Sequence, residues 1–201
     1  MTQIGKFNKL KVVKEVDFGI FLDGEALGEI LLPSRYTPKN CKIGDIVEVF
    51  IYLDSEDRII ATTEKPYAMV DDIAFLKVIA VNSFGAFLDW GLPKDLLVPF
   101  SEQKQKMDEG KSYIVKVFLD KQSNRIAASS KLDKFLDKLS IDFQQGQEVD
   151  LLICTQTDLG YKAIINGTHW SILYKNEVFQ VLNKGQPVSY THLTLPTTPY
   201  V

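Results

Sequence analysis

The chain contains two copies of one sequence pattern. The segment LKVVKEVDFGIFLD at 10–23 returns as LKVIAVNSFGAFLD at 76–89, an offset of 66 residues. The offset holds downstream until one extra residue precedes Arg125, the counterpart of Arg58. A register kept over so many positions predicts two copies of one folded unit, each long enough to close its own core.

A third, fainter copy follows at an offset of 141 from the first, where Gly160 and Gly185 correspond to Gly19 and Gly44. After residue 186 the sequence reads PVSYTHLTLPTTPYV, with three prolines where a fourth strand should lie. Proline cannot donate to a β-ladder. We therefore expect an incomplete third unit at 147–186 and an irregular or foreign tail at 187–201.

Alternating apolar residues predict five strands in each full copy. They lie at about 6–16, 18–23, 27–33, 45–53 and 58–63, and again at about 71–82, 84–89, 95–99, 112–119 and 125–130. Five short strands with a long connection between the third and fourth fit a small Greek-key barrel of the OB type. The predicted fold is all-β, with tandem five-stranded OB barrels at 1–64 and 65–131.

The segment 132–146 differs from the strands around it. Leu132, Phe135, Leu136 and Leu139 follow the i, i+3, i+4, i+7 spacing of an amphipathic helix. This spacing predicts a short helical linker between the second and third units.

The charge and cysteine content narrow the class of protein. The formal net charge of −3 gives no support to a strongly basic protein that coats duplexes. Binding of single strands needs only a few well-placed cations and aromatic rings, and 65–131 carries 10 basic against 8 acidic residues. Cys41 and Cys154 lie in different units without metal-ligand spacing, which favours reduced thiols in a cytoplasmic protein.

Each full copy offers the same candidate binding surface. It combines a strand-one lysine, two phenylalanines around a glycine, and an arginine that opens strand five: Lys11, Phe18, Phe21 and Arg58, then Lys77, Phe84, Phe87 and Arg125. A bulge at the glycine would bring both rings onto one face. Two exposed rings flanked by cations form a stacking platform for unpaired bases. Barrel core is the alternative for each ring.

Trp90 is a further candidate. It stands beside the turn Gly91-Leu92-Pro93, where an exposed indole at the barrel mouth could stack on a base. The alternative is a turn aromatic that lies on the barrel wall.

Two segments of the second copy carry a family resemblance. SFGAFLD at 83–89 and LLVPFSE at 96–102, followed by the R-I-x-x-S pattern from Arg125, resemble the S1 RNA-binding domain. In that family two aromatics, a histidine after strand three, an aspartate and an arginine surround the RNA site. The resemblance implies the RNA-binding residues Phe18, Phe21, Asp54, Arg58, Phe84, Phe87, Asp120 and Arg125. The histidine position is held here by Pro33, Pro99 and Tyr174.

The order of the units narrows the resemblance. Two S1-like copies followed by LGYKAIIN at 159–166 and YKNEVF at 174–179 resemble the conserved virulence factor B family of bacterial S1-like RNA-binding proteins. The resemblance covers roughly 1–186. Family members complete the third S1 domain and add a winged-helix domain. It implies RNA binding linked to regulation of gene expression, and no catalysis.

These features predict a non-catalytic protein that binds single-stranded RNA without a cofactor or metal. His169 and His192 have no ligand spacing to cysteine or carboxylate. Two alternatives stay open: a protein-interaction scaffold for partners in transcription or translation, and the accessory RNA-binding region of a ribonuclease.

Overall fold

The computed structural model describes residues 1–137 and 146–191, and we call the three copies repeat one, repeat two and repeat three. Repeat one forms a closed barrel with strand order β1-β2-β3-β5-β4. Its strands are β1 (Phe7–Val16), β2 (Gly19–Asp23), β3 (Glu29–Pro33), β4 (Ile46–Leu53) and β5 (Ile59–Thr62). The barrel closes where Leu31 on β3 pairs in parallel with Ile60 on β5. The other four strand pairings around the barrel are antiparallel.

Repeat two copies this arrangement as a sheet of order β10-β9-β6-β7-β8. Its strands are β6 (Ile73–Val81), β7 (Gly85–Leu88), β8 (Leu96–Pro99), β9 (Ser112–Leu119) and β10 (Ile126–Ser129). The two end strands β8 and β10 also lie against each other, so the sheet curls nearly closed. The predicted all-β fold of tandem OB barrels is confirmed.

Repeat three forms the first four strands of the same unit, in the order β13-β12-β11-β14. They are β11 (Val149–Gln156), β12 (Gly160–Ile165), β13 (His169–Tyr174) and β14 (Pro187–Tyr190). The third barrel is incomplete in the described residues, as predicted, because no fifth strand follows β14 there.

The expectation of an irregular tail at 187–201 is wrong for Pro187–Tyr190. Pro187 is the first residue of β14, a position where a strand tolerates the missing N–H. Val188 and Tyr190 are half-buried against the core of repeat three, whereas Pro187 and Ser189 are exposed. This alternation gives β14 one apolar face for its pairing with β11. Residues 192–201 lie outside the described residues.

The predicted bulge lies on a different strand. In each repeat the register shifts in the first strand, between Val12 and Lys14, between Val78 and Ala80, and between Ile153 and Thr155. The glycine at the start of the second strand instead allows this strand and the third strand to approach each other closely. A Cβ on Gly85 would overlap the carbonyl oxygen of Val98 on the neighbouring strand. A Cβ on Gly19 or Gly160 would overlap the equivalent carbonyl oxygen in its own repeat. The F-G-x-F spacing therefore reflects strand packing.

Repeats one and two share apolar packing. On β4 the residues Val47, Val49 and Ile51 fill the barrel of repeat one. The alternate residues Phe50 and Tyr52 point outward and belong to the core cluster of repeat two. Both faces of β4 are therefore buried from Val49 to Leu53, which ties the two barrels together.

Trp90 is part of this packing, so the expectation of an exposed indole is wrong and the alternative of a turn aromatic on the barrel wall agrees with its burial. Its side chain is 2% exposed, and its ring lies 5.9 Å from that of Phe50 in an edge-to-face arrangement. The indole Nε1–H donates to the carbonyl of Lys94 at 2.6 Å. Burial with a satisfied donor makes Trp90 the main aromatic contact of repeat two with repeat one.

The predicted helical linker is a single 3₁₀ turn, Leu132–Lys134, within the described residues. Leu132 and Leu136 are buried with Ile114 of repeat two and Ile164 of repeat three. A single turn is enough to bring both leucines into contact with repeats two and three. Tertiary packing, rather than a long helix, therefore holds this segment in place. Residues 138–145, including Leu139, lie outside the described residues. In the described ranges no helix has the length and hydropathy to cross a membrane.

Candidate nucleic-acid interface

A groove of about 830 Å³ opens on the outside of repeat two, next to repeat one. Its aromatic lining comes from Tyr52, Phe84, Phe87, Trp90 and Phe118, and its charged lining includes Asp120 and Arg125. Five of the predicted site residues of repeat two, Trp90 among them, therefore line this groove. Phe118 was not predicted, because a phenylalanine on an alternating strand is indistinguishable from core in the sequence.

The two predicted rings reach this groove from different local positions. Phe84 lies in the tight turn before β7, where its N–H donates to Asn82 Oδ1 at 2.8 Å, and it is 71% exposed. Phe87 lies on β7 opposite Leu97 of β8 and is half-buried. The turn, not a bulge at Gly85, allows residues three apart to share one side of the sheet.

Repeat one presents the equivalent pair. Phe18 is 61% exposed, and its ring lies 6.4 Å from that of Phe21 in an edge-to-face arrangement. The Lys14 Nζ lies 5.7 Å from the centre of the Phe21 ring. Sequence alternation missed Lys14 because the bulge at Val13 changes which residues face outward. Lys14, opposite Phe21 in the register, is the cation next to these rings.

The strand-one lysines predicted for the site lie elsewhere on the surface. Lys11 is exposed and pairs with Ile46 of β4. Lys77 is exposed, pairs with Ser112 of β9, and is not part of the groove lining. Neither lysine is brought next to the ring pair of its repeat by a described contact.

In repeat one the predicted aspartate and arginine pair with each other. Arg58 Nε donates to Asp54 Oδ2 at 2.8 Å, and a second nitrogen of Arg58 lies 2.9 Å from Glu56 Oε2. Burial acts to raise the pKa of Asp54, but hydrogen bonds from the side chain and backbone of Arg58 outweigh it and lower that pKa. The Arg58 guanidinium is therefore shared between two carboxylates.

In repeat two the corresponding pair is separated. Asp120 accepts a hydrogen bond from Ser123 Oγ at 2.6 Å, which lowers the pKa of Asp120 together with backbone N–H donors. Arg125 instead forms an ion pair with Asp57 of repeat one. Lys94 reaches the same Asp57 at 3.2 Å, and the pKa of Asp57 is lowered chiefly by this hydrogen bond. Asp57 therefore joins the two repeats at the groove.

The S1 domain model matches residues 4–64 and 72–130. The chain belongs to the S1 domain family. The two matched segments contain the five strands of each S1 repeat, together with the ring pairs and arginines described above.

Two curated relatives carry the likeness further. The chain is 40% identical over 91 residues to the uncharacterised protein YitL of Bacillus subtilis, covering 44% of this chain and 30% of that protein. It is 24% identical over 116 residues to conserved virulence factor B of Staphylococcus saprophyticus, covering 54% of this chain and 39% of that protein. The predicted resemblance to conserved virulence factor B is confirmed. The chain spans only about a third of the length of these relatives.

A solved structure shows the same arrangement of folds. It is a multidomain protein with nucleic acid binding domains from Streptococcus pneumoniae, which matches 94% of this chain and 68% of its own with a TM-score of 0.54. The sequences are 19% identical over this match. The match covers repeat three as well as the two S1 repeats, which supports its assignment as a third copy.

Proposed function

We propose that this chain is a non-catalytic protein that binds single-stranded RNA, and that the groove of repeat two is its principal site. The observation that carries the proposal is the ring pair of Phe84 and Phe87 in one groove with Arg125 and Lys94. Aromatic faces accept stacked bases of any sequence, and cations at the rim neutralise the phosphates. The S1 family assignment and the nucleic acid binding domains of the pneumococcal protein support nucleic-acid binding.

The exposure of the rings favours single strands over duplexes. Phe84 is 71% exposed, so one face can be covered by a base without repacking the barrel. Bases in a duplex are stacked on each other and cannot offer that face, whereas bases in loops and single strands can be splayed onto a protein ring. We further propose a role in post-transcriptional regulation of gene expression in the cytoplasm.

The decisive test is the double variant Phe84→Ala/Phe87→Ala. Base stacking contributes roughly 1–3 kcal/mol per base, so binding of a single-stranded RNA should weaken by about 2–6 kcal/mol if both rings stack. Phe179→Ala is the matched control, because Phe179 is 98% exposed and lies in repeat three outside the groove. Circular dichroism confirms the fold of each variant. Binding by the folded double variant equal to that of the control would rule out the platform.

A protein-docking role is the second candidate, and one observation favours it. Ile43 and Ile46, three residues apart on repeat one, are 63% and 70% exposed. Salt titration separates the two functions. RNA affinity should fall by about 0.7 log units per phosphate contact for each log unit of salt, whereas docking through apolar side chains should show no such slope.

A further inference from the structure

Aromatic rings and lysines meet where repeat two joins repeat three. The Lys162 Nζ lies 3.9 Å from the centre of the Trp170 indole, and Trp170 Nε1 donates to Asp133 Oδ1 at 3.0 Å. Beside them the Phe118 and Phe135 rings lie 5.6 Å apart. We call this surface the junction patch: Phe118, Lys134, Phe135, Lys162 and Trp170.

The junction patch continues the groove of repeat two. Phe118 and Glu102 line the groove, and Lys134 contacts both, because its Nζ lies 5.3 Å from the centre of the Phe118 ring and pairs with Glu102. The adjacent residue, Asp133, accepts the hydrogen bond of Trp170. An unbroken series of contacts therefore leads from the groove to Trp170.

Positive charge exceeds negative charge along this series. Four lysines act on the two carboxylates Glu102 and Asp133: Lys104, Lys131, Lys134 and Lys162. Burial acts to raise the pKa of each carboxyl, but the surrounding donors and cations outweigh it, and both pKa values are lowered. Each carboxylate thus stays ionised near neutral pH, and the surplus of lysines remains available to phosphates.

The arrangement of Trp170 suits a stacked base. The hydrogen bond from Nε1 to Asp133 fixes the plane of the indole, and the Lys162 ammonium occupies its face. A ring face that holds a flexible cation can exchange it for a base, since stacking and cation–π contacts use the same surface. The displaced ammonium then lies within reach of the phosphate of that nucleotide.

We propose that a nucleic-acid strand bound in the groove of repeat two continues over the junction patch, with a base stacked on Trp170 and phosphates on Lys134 and Lys162. This inference rests on the proposed function and extends its site onto repeat three. It assigns binding residues outside the F-G-x-F motif, on a repeat that lacks that motif.

Tryptophan fluorescence tests the proposal directly. The chain has two tryptophans; Trp90 is buried at 2% exposure and Trp170 is half-buried. Oligouridylates of about 4 and about 16 nucleotides span the site sizes of an OB fold. We expect the longer oligonucleotide to quench the emission of the unmodified chain and the shorter one to quench it much less. The quenching should disappear in Trp170→Phe.

The lysines give a second readout that does not depend on the indole. The double variant Lys134→Gln/Lys162→Gln should reduce the salt slope for the longer oligonucleotide by about 1.4, at about 0.7 per phosphate contact. Lys39→Gln, an exposed lysine on repeat one, is the matched control and should leave the slope unchanged. Circular dichroism checks each fold.

The proposed function and its extension over the junction patch are overturned by different results. If the unmodified chain binds neither oligonucleotide, the proposed function and this inference are both overturned. If Phe84→Ala/Phe87→Ala weakens binding while Trp170 emission and the lysine-dependent slope do not change, the groove stands and the extension over the junction patch is overturned. Quenching at Trp170 together with a reduced slope supports the extension.

Discussion

The turns between strands four and five differ between repeat one and repeat two by one residue. In both, the N–H of the leading aspartate donates to the carbonyl of the arginine at 2.9 Å, from Asp54 to Arg58 and from Asp120 to Arg125. The longer turn of repeat two contains Ser123, whose hydroxyl bonds to Asp120. Arg58 therefore binds its own aspartate, whereas Arg125 extends to Asp57 of the neighbouring repeat.

The difference changes the local charge. Arg58 is surrounded by Asp54 and Glu56, so its cluster carries a surplus of negative charge. Arg125 shares the carboxylate of Asp57 with Lys94, and with Asp120 of the same groove two cations face two carboxylates. The motif of repeat two is therefore less negative than that of repeat one, and this favours repeat two as the stronger binding module.

The largest expected effect concerns stability. Repeat one has Gly24 where repeat two has Trp90, so only repeat two supplies an indole to the shared packing. Trp90→Ala should lower the free energy of unfolding by about 3–5 kcal/mol, the usual cost of truncating a buried aromatic. Urea denaturation measures it, with Phe179→Ala as a control expected to stay within about 0.5 kcal/mol. A loss below about 1 kcal/mol would contradict the role of Trp90 in joining the repeats.

The next effect concerns the glycine that lies between the two phenylalanines in each S1 repeat. Gly85→Ala would force a Cβ onto the carbonyl oxygen of Val98, whereas Gly110, also at positive φ, has open space around its Cβ position. Gly110→Ala should cost about 1–2 kcal/mol from backbone strain alone. Gly85→Ala should cost about 1–3 kcal/mol more from overpacking. Equal thermal unfolding of the two variants would disprove the close-approach explanation.

A smaller effect separates the two arginines. Arg125→Gln should reduce the salt slope of RNA binding by about 0.7 if it contacts one phosphate. Arg58→Gln should reduce the slope less, because two carboxylates already hold Arg58. Affinity measured at several salt concentrations gives both slopes, and sequence preference should persist because phosphate contacts do not specify bases. A larger change in Arg58→Gln would reverse the ranking of the repeats.

The smallest effect is a pH dependence at the contact between the repeats. The pKa of Asp57 is lowered in the folded chain, so its stabilisation is present above the unfolded pKa of about 3.9 and is lost as pH falls through the lower folded value. Asp57→Asn keeps the turn, where φ is 60° and asparagine is tolerated. The difference in unfolding free energy between the two chains should shrink from pH 7 toward about pH 3. If the difference in unfolding free energy does not change with pH, the charge of Asp57 does not stabilise the contact between the repeats.

The sequence predicted what depends on one repeat and missed what depends on contacts between repeats. Strand alternation located all ten strands of the S1 repeats, and the F-G-x-F segments located the exposed rings. The burial of Trp90 and the partner of Arg125 depend on how repeat two packs against repeat one, which no local pattern encodes. Lys14 was missed because a bulge inverted the alternation, and β14 was missed because Pro187 is harmless at a strand start.

The burial of Phe50 and Tyr52 in the core of repeat two has a consequence during synthesis. Repeat one leaves the ribosome first, and its barrel can close while these two rings still face water. They stay uncovered until the last strand of repeat two, ending at Ser129, has been made. At roughly 5–20 residues per second this interval lasts roughly 3–13 s. The nascent chain therefore carries a transient aromatic surface until repeat two folds over it.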